Sequence, residues 1–200
     1  QDDQEYKNIR WMSETGNIHL VLFFSSTPSL LSYSLSLYTG FLTMPNMFSI
    51  GYHQCRWNYR SEEDVYFVDE NMEKNDIPYD VLWLDIEHTD GKRYFTWDKV
   101  NFPTPRQMQQ KLQQKGRKMV TIVDPHIKRD SGYYIHKQCE DQGLYVKTSQ
   151  EKGSNDYEGW CWPGSASYPD FSLQKVRDWW ASQFSYYNYD GSNENLYIWN

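Results

Sequence analysis

Asp85, Glu87 and Asp124 are the residues of this chain best placed to do chemistry. The apolar run Val81–Leu84 stops on Asp85, and the run Met119–Val123 stops on Asp124. Runs of this length predict buried parallel strands, whose carboxyl ends collect functional groups. Two carboxylates on neighbouring strand ends could divide the work of cleaving a glycosidic bond. At about 5–5.5 Å apart one attacks while the other protonates, and a wider gap leaves room for a water. The plainer alternative stays open for each residue by itself: a strand-end Asp often accepts backbone hydrogen bonds and holds a loop.

The aromatic residues point the same way. The chain has nine Trp, 17 Tyr and nine Phe although only 38% of it is hydrophobic. Rings with a polar handle suit surfaces where one edge is wet. Tyr52, Trp57 and Tyr59 flank the first predicted strand, Trp160, Trp162 and Tyr168 fall in a long loop, and Trp199 ends the last strand. Indole faces stack on pyranose C–H faces while carboxylates take the hydroxyls. Each Trp alone reads as core; their gathering at one end of the strands is the signal.

Other chemistries find little support. No G-x-S-x-G elbow and no Gly-rich phosphate loop occurs. The formal charge of −7, with Lys and Arg scattered, argues against nucleic acid as a partner. Cys55, Cys139 and Cys161 are odd in number, and neither they nor His19, His53, His88, His126 and His136 show a metal spacing. The histidines are expected to be surface or hydrogen-bonded groups, and no cofactor or metal is called for. The longest apolar run, Leu20–Phe24, is far short of the ~20 residues of a spanning helix, so no membrane span is expected. The amino-terminal residues lack the basic and apolar regions of a signal peptide, which a mature segment would also lack.

These residues need a scaffold of alternating strands and helices. Ile18, Leu20 and Leu22 alternate before Phe23-Phe24, with a turn at Thr15-Gly16-Asn17, so residues 1–26 read as extended structure at the end of a β domain. Thr27-Pro28 opens a helix that carries Leu30, Leu31, Leu35 and Tyr38 and stops at Gly40; with its loop it fills 27–47. A first strand is expected over Phe48–Tyr52, ending at His53. Ser61-Glu62-Glu63-Asp64 caps a helix with Val65, Val68 and Met72 on one face. Thr104-Pro105-Arg106-Gln107 caps the next, with Met108 and Leu112 buried and Gly116 as its stop. After the strand at Met119 comes a long irregular stretch, 127–171, expected to be a cleft wall. A helix with Leu173, Val176, Trp180 and Phe184 on one face then precedes the run Leu196–Trp199, which stops on Asn200. The first units repeat at roughly 32 and 39 residues, near the ~31 of a (β/α)8 barrel. The expected fold is therefore α/β, the first half of a (β/α)8 TIM barrel with about four parallel strands, over 48–200. Such a half with two open edges is expected to be unstable by itself.

Taken together, the motifs resemble a known family. Gly51-Tyr-His-Gln-Cys-Arg-Trp-Asn-Tyr59, Trp83-Leu-Asp-Ile-Glu-His88, Gly91-Lys-Arg-Tyr-Phe-Thr-Trp97 and Asp124-Pro-His-Ile127 are similar to stretches of glycoside hydrolase family 31. So are Gly159-Trp-Cys-Trp-Pro-Gly164, Tyr168-Pro-Asp-Phe171 and Tyr197-Ile-Trp-Asn200. The resemblance covers about 9–200 and is weakest before Phe48. It implies a retaining exo-α-glucosidase, with a β-sandwich before the barrel. Its endoplasmic-reticulum branch, which trims α-1,3-glucose from N-glycans in the lumen and works with a β-type subunit, looks most similar. A maltase-like or neutral α-glucosidase acting on α-1,4-glucans, cytoplasmic or lysosomal, is the alternative, and a non-catalytic carbohydrate-binding module is the rival from another class.

The resemblance also reassigns roles. It makes Asp85 a ligand for hydroxyls of the terminal glucose, not the nucleophile. It implies that Trp57, Ile86, Ile127, Trp162 and Trp199 line the glucose pocket, that Asp124 is supporting structure, and that Glu87 and His88 stand behind the site or at its rim. The family's nucleophile is the Asp of a W-x-D-M-N-E-type motif expected directly after Asn200, and its general acid lies further on. No catalytic residue is therefore assigned, and the 200 residues alone are expected to be inactive.

Overall fold

The computed structural model describes residues 10–13, 16–150 and 153–199. They fall into two units, Gln1–Met44 and Pro45–Asn200. In the first, helix α1 spans Pro28–Thr39. Thr27 caps it by accepting the Leu30 amide at 3.3 Å, Pro28 fits the first turn, and Gly40 ends it at φ 93°. Ahead of the helix, no strand is assigned among described residues 10–26, and Ile18, Leu20 and Leu22 are exposed. The alternation there thus meets no paired strand. Thr15 of the expected turn lies outside the described residues.

The second unit is built on four parallel strands, β1 (His53–Gln54), β2 (Val81–Leu84), β3 (Lys118–Ile122) and β7 (Leu196–Trp199), in the order β1-β2-β3-β7. Register pairs His53 with Val81, Trp83 with Val120, and Ile122 with Trp199. Helices α2 (Glu62–Lys74) and α3 (Pro105–Gln114) cross between successive strands. Strand pleating sends Leu82, Leu84 and Met119 into a core shared with Val65 of α2 and Met108 and Leu112 of α3. Burial of each of these side chains is worth about 1.5–3 kcal/mol. Leu82, Leu84, Met108 and Leu112 are fully buried, as the helical and strand periods require.

Three expectations need correction. The first strand is not Phe48–Tyr52 but His53–Gln54; Met47–Ile50 form a 3-10 turn instead. Pairing begins only where the Tyr52 carbonyl accepts the Asp80 and Val81 amides, and Phe48 packs on Tyr197 at 4.9 Å. Gly51 lets the Asp80 side chain lie against this turn, because a Cβ there would lie 1.9 Å from Asp80 Oδ2 and push that carboxylate aside. Second, Thr104 does not cap α3 with its side chain. Glu62, at the start of α2, takes both the Thr104 amide (2.6 Å) and its hydroxyl (2.7 Å), so the caps of two helices are tied together. Third, Leu173 precedes the helix and is exposed, while Val176 and Trp180 of α5 (Gln174–Gln183) are buried and Phe184 packs on the core.

The stretch 127–171 is a folded excursion. Strands β4 (Ile127–Lys128), β5 (Gly159–Cys161) and β6 (Gly164–Ser167) make an antiparallel sheet in the order β4-β6-β5. Helix α4 (Tyr134–Gln142) packs below it and ends at Gly143, φ 60°. Elements of two to four residues show no readable period, so only pairing across the excursion reveals them.

Candidate functional site

The cavity lies at the carboxyl ends of the parallel strands. Its volume is about 610 Å³, and it is lined by Cys55, Trp57, Trp83, Asp85, Ile86, Lys92, Ile122, Asp124, Trp162 and Trp199. Strand parity explains the sheet's share: Trp83 and Asp85, Ile122 and Asp124, and Trp199 alternate with the core-facing residues. Trp83 is fixed on both sides. Its Nε1 donates to His53 Nδ1 at 2.9 Å, which leaves His53 Nε2–H to donate to the Phe48 carbonyl at 3.0 Å. Its ring also meets Trp199 at 5.7 Å between centroids.

Asp85 caps a 3-10 turn over Ile86–His88, accepting the Ile86 amide on Oδ1 at 2.7 Å. That turn folds His88 back underneath, where Nδ1–H donates to the Asp85 carbonyl (2.7 Å) and Nε2 faces the Tyr189 hydroxyl (3.1 Å). His88 is buried, and desolvation pushes its pKa down to about 4, so it is neutral with one defined tautomer. Asp124 is held differently. The Tyr94 hydroxyl donates to its Oδ2 at 2.6 Å and lies 2.8 Å from His126 Nε2. Tyr94 and His126 are both buried; burial raises the phenol's pKa and lowers the imidazole's, the latter against the pull of Asp124.

The turn after β2 supplies a cation. Lys92 sits at φ 63° and Phe95 at φ 62°, a left-handed conformation that costs about 1 kcal/mol or more for a residue with a side chain. The geometry aims Lys92 Nζ at the Trp162 carbonyl, 3.3 Å away, on the turn between β5 and β6. The same turn is strapped to β4 and the loop after it by Arg93–Asp130 at 2.6 Å and by Lys128 Nζ on the Gly91 carbonyl at 2.8 Å. Hydrogen bonding from Arg93 holds the Asp130 pKa low. Cys55 also borders the cavity, its thiol pKa raised by burial first and by Asp85 second.

Of the residues expected at the site, Asp85, Trp57, Ile86, Trp162 and Trp199 come together on this wall. Ile127 does not. It is fully buried, paired with Ser167, and part of the hydrophobic core rather than of the cavity lining. Asp124 was expected to be supporting structure, yet it borders the cavity. The histidines at 88, 126 and 136 are buried hydrogen-bonded groups, not surface ones. Asn200 lies outside the described residues. Trp83, Ile122, Lys92 and Cys55 were not anticipated. Parity with Asp85 and Asp124 could have found the first two, whereas Lys92 reaches the cavity only through its turn.

Trp57, Trp162 and Trp199 are 65%, 71% and 63% exposed, so their indole faces are available to a ligand. Two carboxylates among such rings make a surface for a neutral, hydroxyl-rich molecule. Among the described residues, no group of three or more metal-ligating side chains occurs and no helix is long and apolar enough to cross a membrane.

Comparison with known proteins fits this chemistry. A family profile described as Glycosyl hydrolases family 31 TIM-barrel domain matches residues 42–200. Over 194 residues the chain is 57% identical to Neutral alpha-glucosidase AB of Dictyostelium discoideum, covering 97% of this chain and 20% of that protein. Over 190 residues it is 57% identical to a Probable glucan 1,3-alpha-glucosidase of Arabidopsis thaliana, covering 95% of this chain and 20% of that one. A solved heterodimer of ER glucosidase II, made of the catalytic subunit and the binding domain of the regulatory subunit, aligns with a TM-score of 0.74 at 51% identity. That alignment covers 78% of this chain and 17% of the solved one. The chain spans 20% of the length of the curated relatives it matches.

Proposed function

Because the chain belongs to glycosyl hydrolase family 31, we propose that its cavity binds the terminal glucose of an α-linked glucoside in a retaining exo-α-glucosidase. The observation that carries this reading is Asp85, placed at the end of β2 among Trp57, Trp83, Trp162 and Trp199. Asp85 accepts glucose hydroxyls, the indoles cover the ring's C–H faces, and Ile86 supplies an apolar edge. Ile127 backs this wall from the core. Residues 48–200 serve as the amino-terminal half of the barrel, with 1–26 the end of a β-sandwich and 27–47 the link between them. The carboxylates that break the bond are assigned to none of these residues.

The substrate is a glucosylated N-glycan with α-1,3-linked glucose, processed in the lumen of the endoplasmic reticulum beside a glucosidase II β-type subunit. Support comes from the relatives named as a glucan 1,3-alpha-glucosidase and as ER glucosidase II with its regulatory subunit. Hydrolysis by the intact protein of glucose disaccharides linked α-1,3 and α-1,4 tests the assignment. Faster release from the α-1,3 substrate is expected. A preference for the α-1,4 substrate would overturn the N-glycan reading in favour of a maltase-like enzyme. Binding with no hydrolysis of either would leave a carbohydrate-binding module.

A further inference from the structure

The hydrogen bonds at Asp124 run in one direction. The Tyr94 hydroxyl has a single proton and gives it to Asp124 Oδ2, so the contact with His126 requires Nε2–H to donate to the Tyr94 oxygen. Both donors are buried, whereas the Asp124 side chain keeps 29% of its surface open. Among the described residues, the hydrogen bond made by the Asp124 carboxylate is the one from Tyr94. Asp124 shares its parity with cavity-lining Ile122, as Asp85 does with Trp83, and the register that pairs Leu84 with Thr121 sets Asp124 two residues further along its strand than Asp85. Two neighbouring strand ends therefore present carboxylates to one cavity, staggered by two residues along the strands.

We propose that Asp124 is a second hydroxyl-accepting carboxylate of the cavity, a specificity-determining residue beside Asp85, and that Tyr94 is its positioning residue. The inference rests on the glucose-binding reading above. Tyr94 and His126 fix one Asp124 oxygen and orient the other toward a hydroxyl that Asp85 does not reach. A sugar lacking that hydroxyl leaves a carboxylate desolvated and unpaired, which is how a polar site rejects a deoxy analogue.

The test uses the intact protein, p-nitrophenyl α-glucoside and its monodeoxy analogues. Asp124→Asn keeps the side chain's shape and can still accept from Tyr94. It is expected to lower kcat/KM on the parent glucoside by about 10- to 100-fold, with the loss vanishing on one deoxy analogue. Tyr94→Phe is expected to shift selectivity toward the same analogue by a smaller factor, and it carries the test if Asp124→Asn does not fold. An equal loss on every analogue, or none on the parent, overturns the proposal. Absence of turnover by the unmodified protein overturns the glucosidase reading and this inference with it.

Discussion

Asp85 and Asp124 end neighbouring strands, and each is braced by a buried histidine and a buried tyrosine, but the braces grip different atoms. At Asp85 the pair His88 and Tyr189 holds the main-chain carbonyl, and among the described residues the carboxylate's hydrogen bond is to the next residue's amide. At Asp124 the pair Tyr94 and His126 holds the carboxylate itself. The first arrangement fixes where a side chain starts; the second fixes where it points. A residue braced through its backbone keeps both conformation and solvation to give to a ligand. One braced through an oxygen is rigid and particular about what it accepts.

Substitutions at four positions can break or sharpen this contrast. Asp85→Ala should have the largest effect, lowering kcat/KM of the intact protein by at least about 100-fold through loss of charge-assisted hydrogen bonds. Its melting temperature should fall only as far as loss of a turn cap requires, ~1 kcal/mol. If turnover survives, the backbone-braced carboxylate is not the principal sugar ligand. His88→Leu comes next, at about 2–3 kcal/mol of stability, because it removes the imidazole partner of the buried Tyr189 hydroxyl and leaves the Asp85 carbonyl with only the residue-88 amide at 3.4 Å among the described residues. Denaturant titration would read this directly.

The same histidine sets a pH dependence. Its pKa lies near 4 in the folded chain and near 6.5 unfolded, so between these values the unfolded state binds the extra proton. Stability contributed by keeping His88 neutral is complete above pH 6.5, is lost as pH falls toward 4, and totals roughly 3 kcal/mol. His88→Leu should flatten that part of the stability curve; a curve of unchanged slope would show that another group dominates it. Tyr94→Phe should cost less, about 1–1.5 kcal/mol, since it removes one hydroxyl while its ring keeps its packing. An effect on stability as large as that of His88→Leu would mean the two braces are energetically alike.

Lys92→Met should be the smallest in stability, within about 0.5 kcal/mol, because its bond to the Trp162 carbonyl is exposed. Its effect belongs in hydrogen exchange, as faster exchange at 159–167 with the strands unchanged. Lys92→Arg should restore slow exchange. Equal protection in Lys92→Met and the parent would show that Arg93 and Lys128 suffice to hold the cavity's outer wall.

Much of the barrel portion was legible because its periods are long. Val81–Leu84 and Met119–Val123 read as strands, and Val65, Met108 and Leu112 as helix faces, since each repeats a period over a full element. The first strand was misplaced because apolar Phe48–Tyr52 carries the composition of a strand while its backbone turns against Asp80 and Tyr197. Ile127 lies in the core and outside the cavity lining, because a motif fixes a residue's place in the chain, not which way a two-residue strand turns it. Its strand pairs with Ser167 and Ala166, some forty residues away, a contact for which no local pattern exists.

By itself the sequence determined three of the four parallel strands, the strand-end carboxylates and the indoles around them, because strand parity and helix period are properties of neighbouring residues. Only the tertiary structure decided that Tyr189 reaches His88, that Tyr94 and His126 hold Asp124, and that Lys92 meets the turn bearing Trp162. These contacts join residues between 30 and 101 positions apart. Which buried polar group satisfies which other is settled by packing, where leaving any one of them unpaired costs more than the bond itself gains in water.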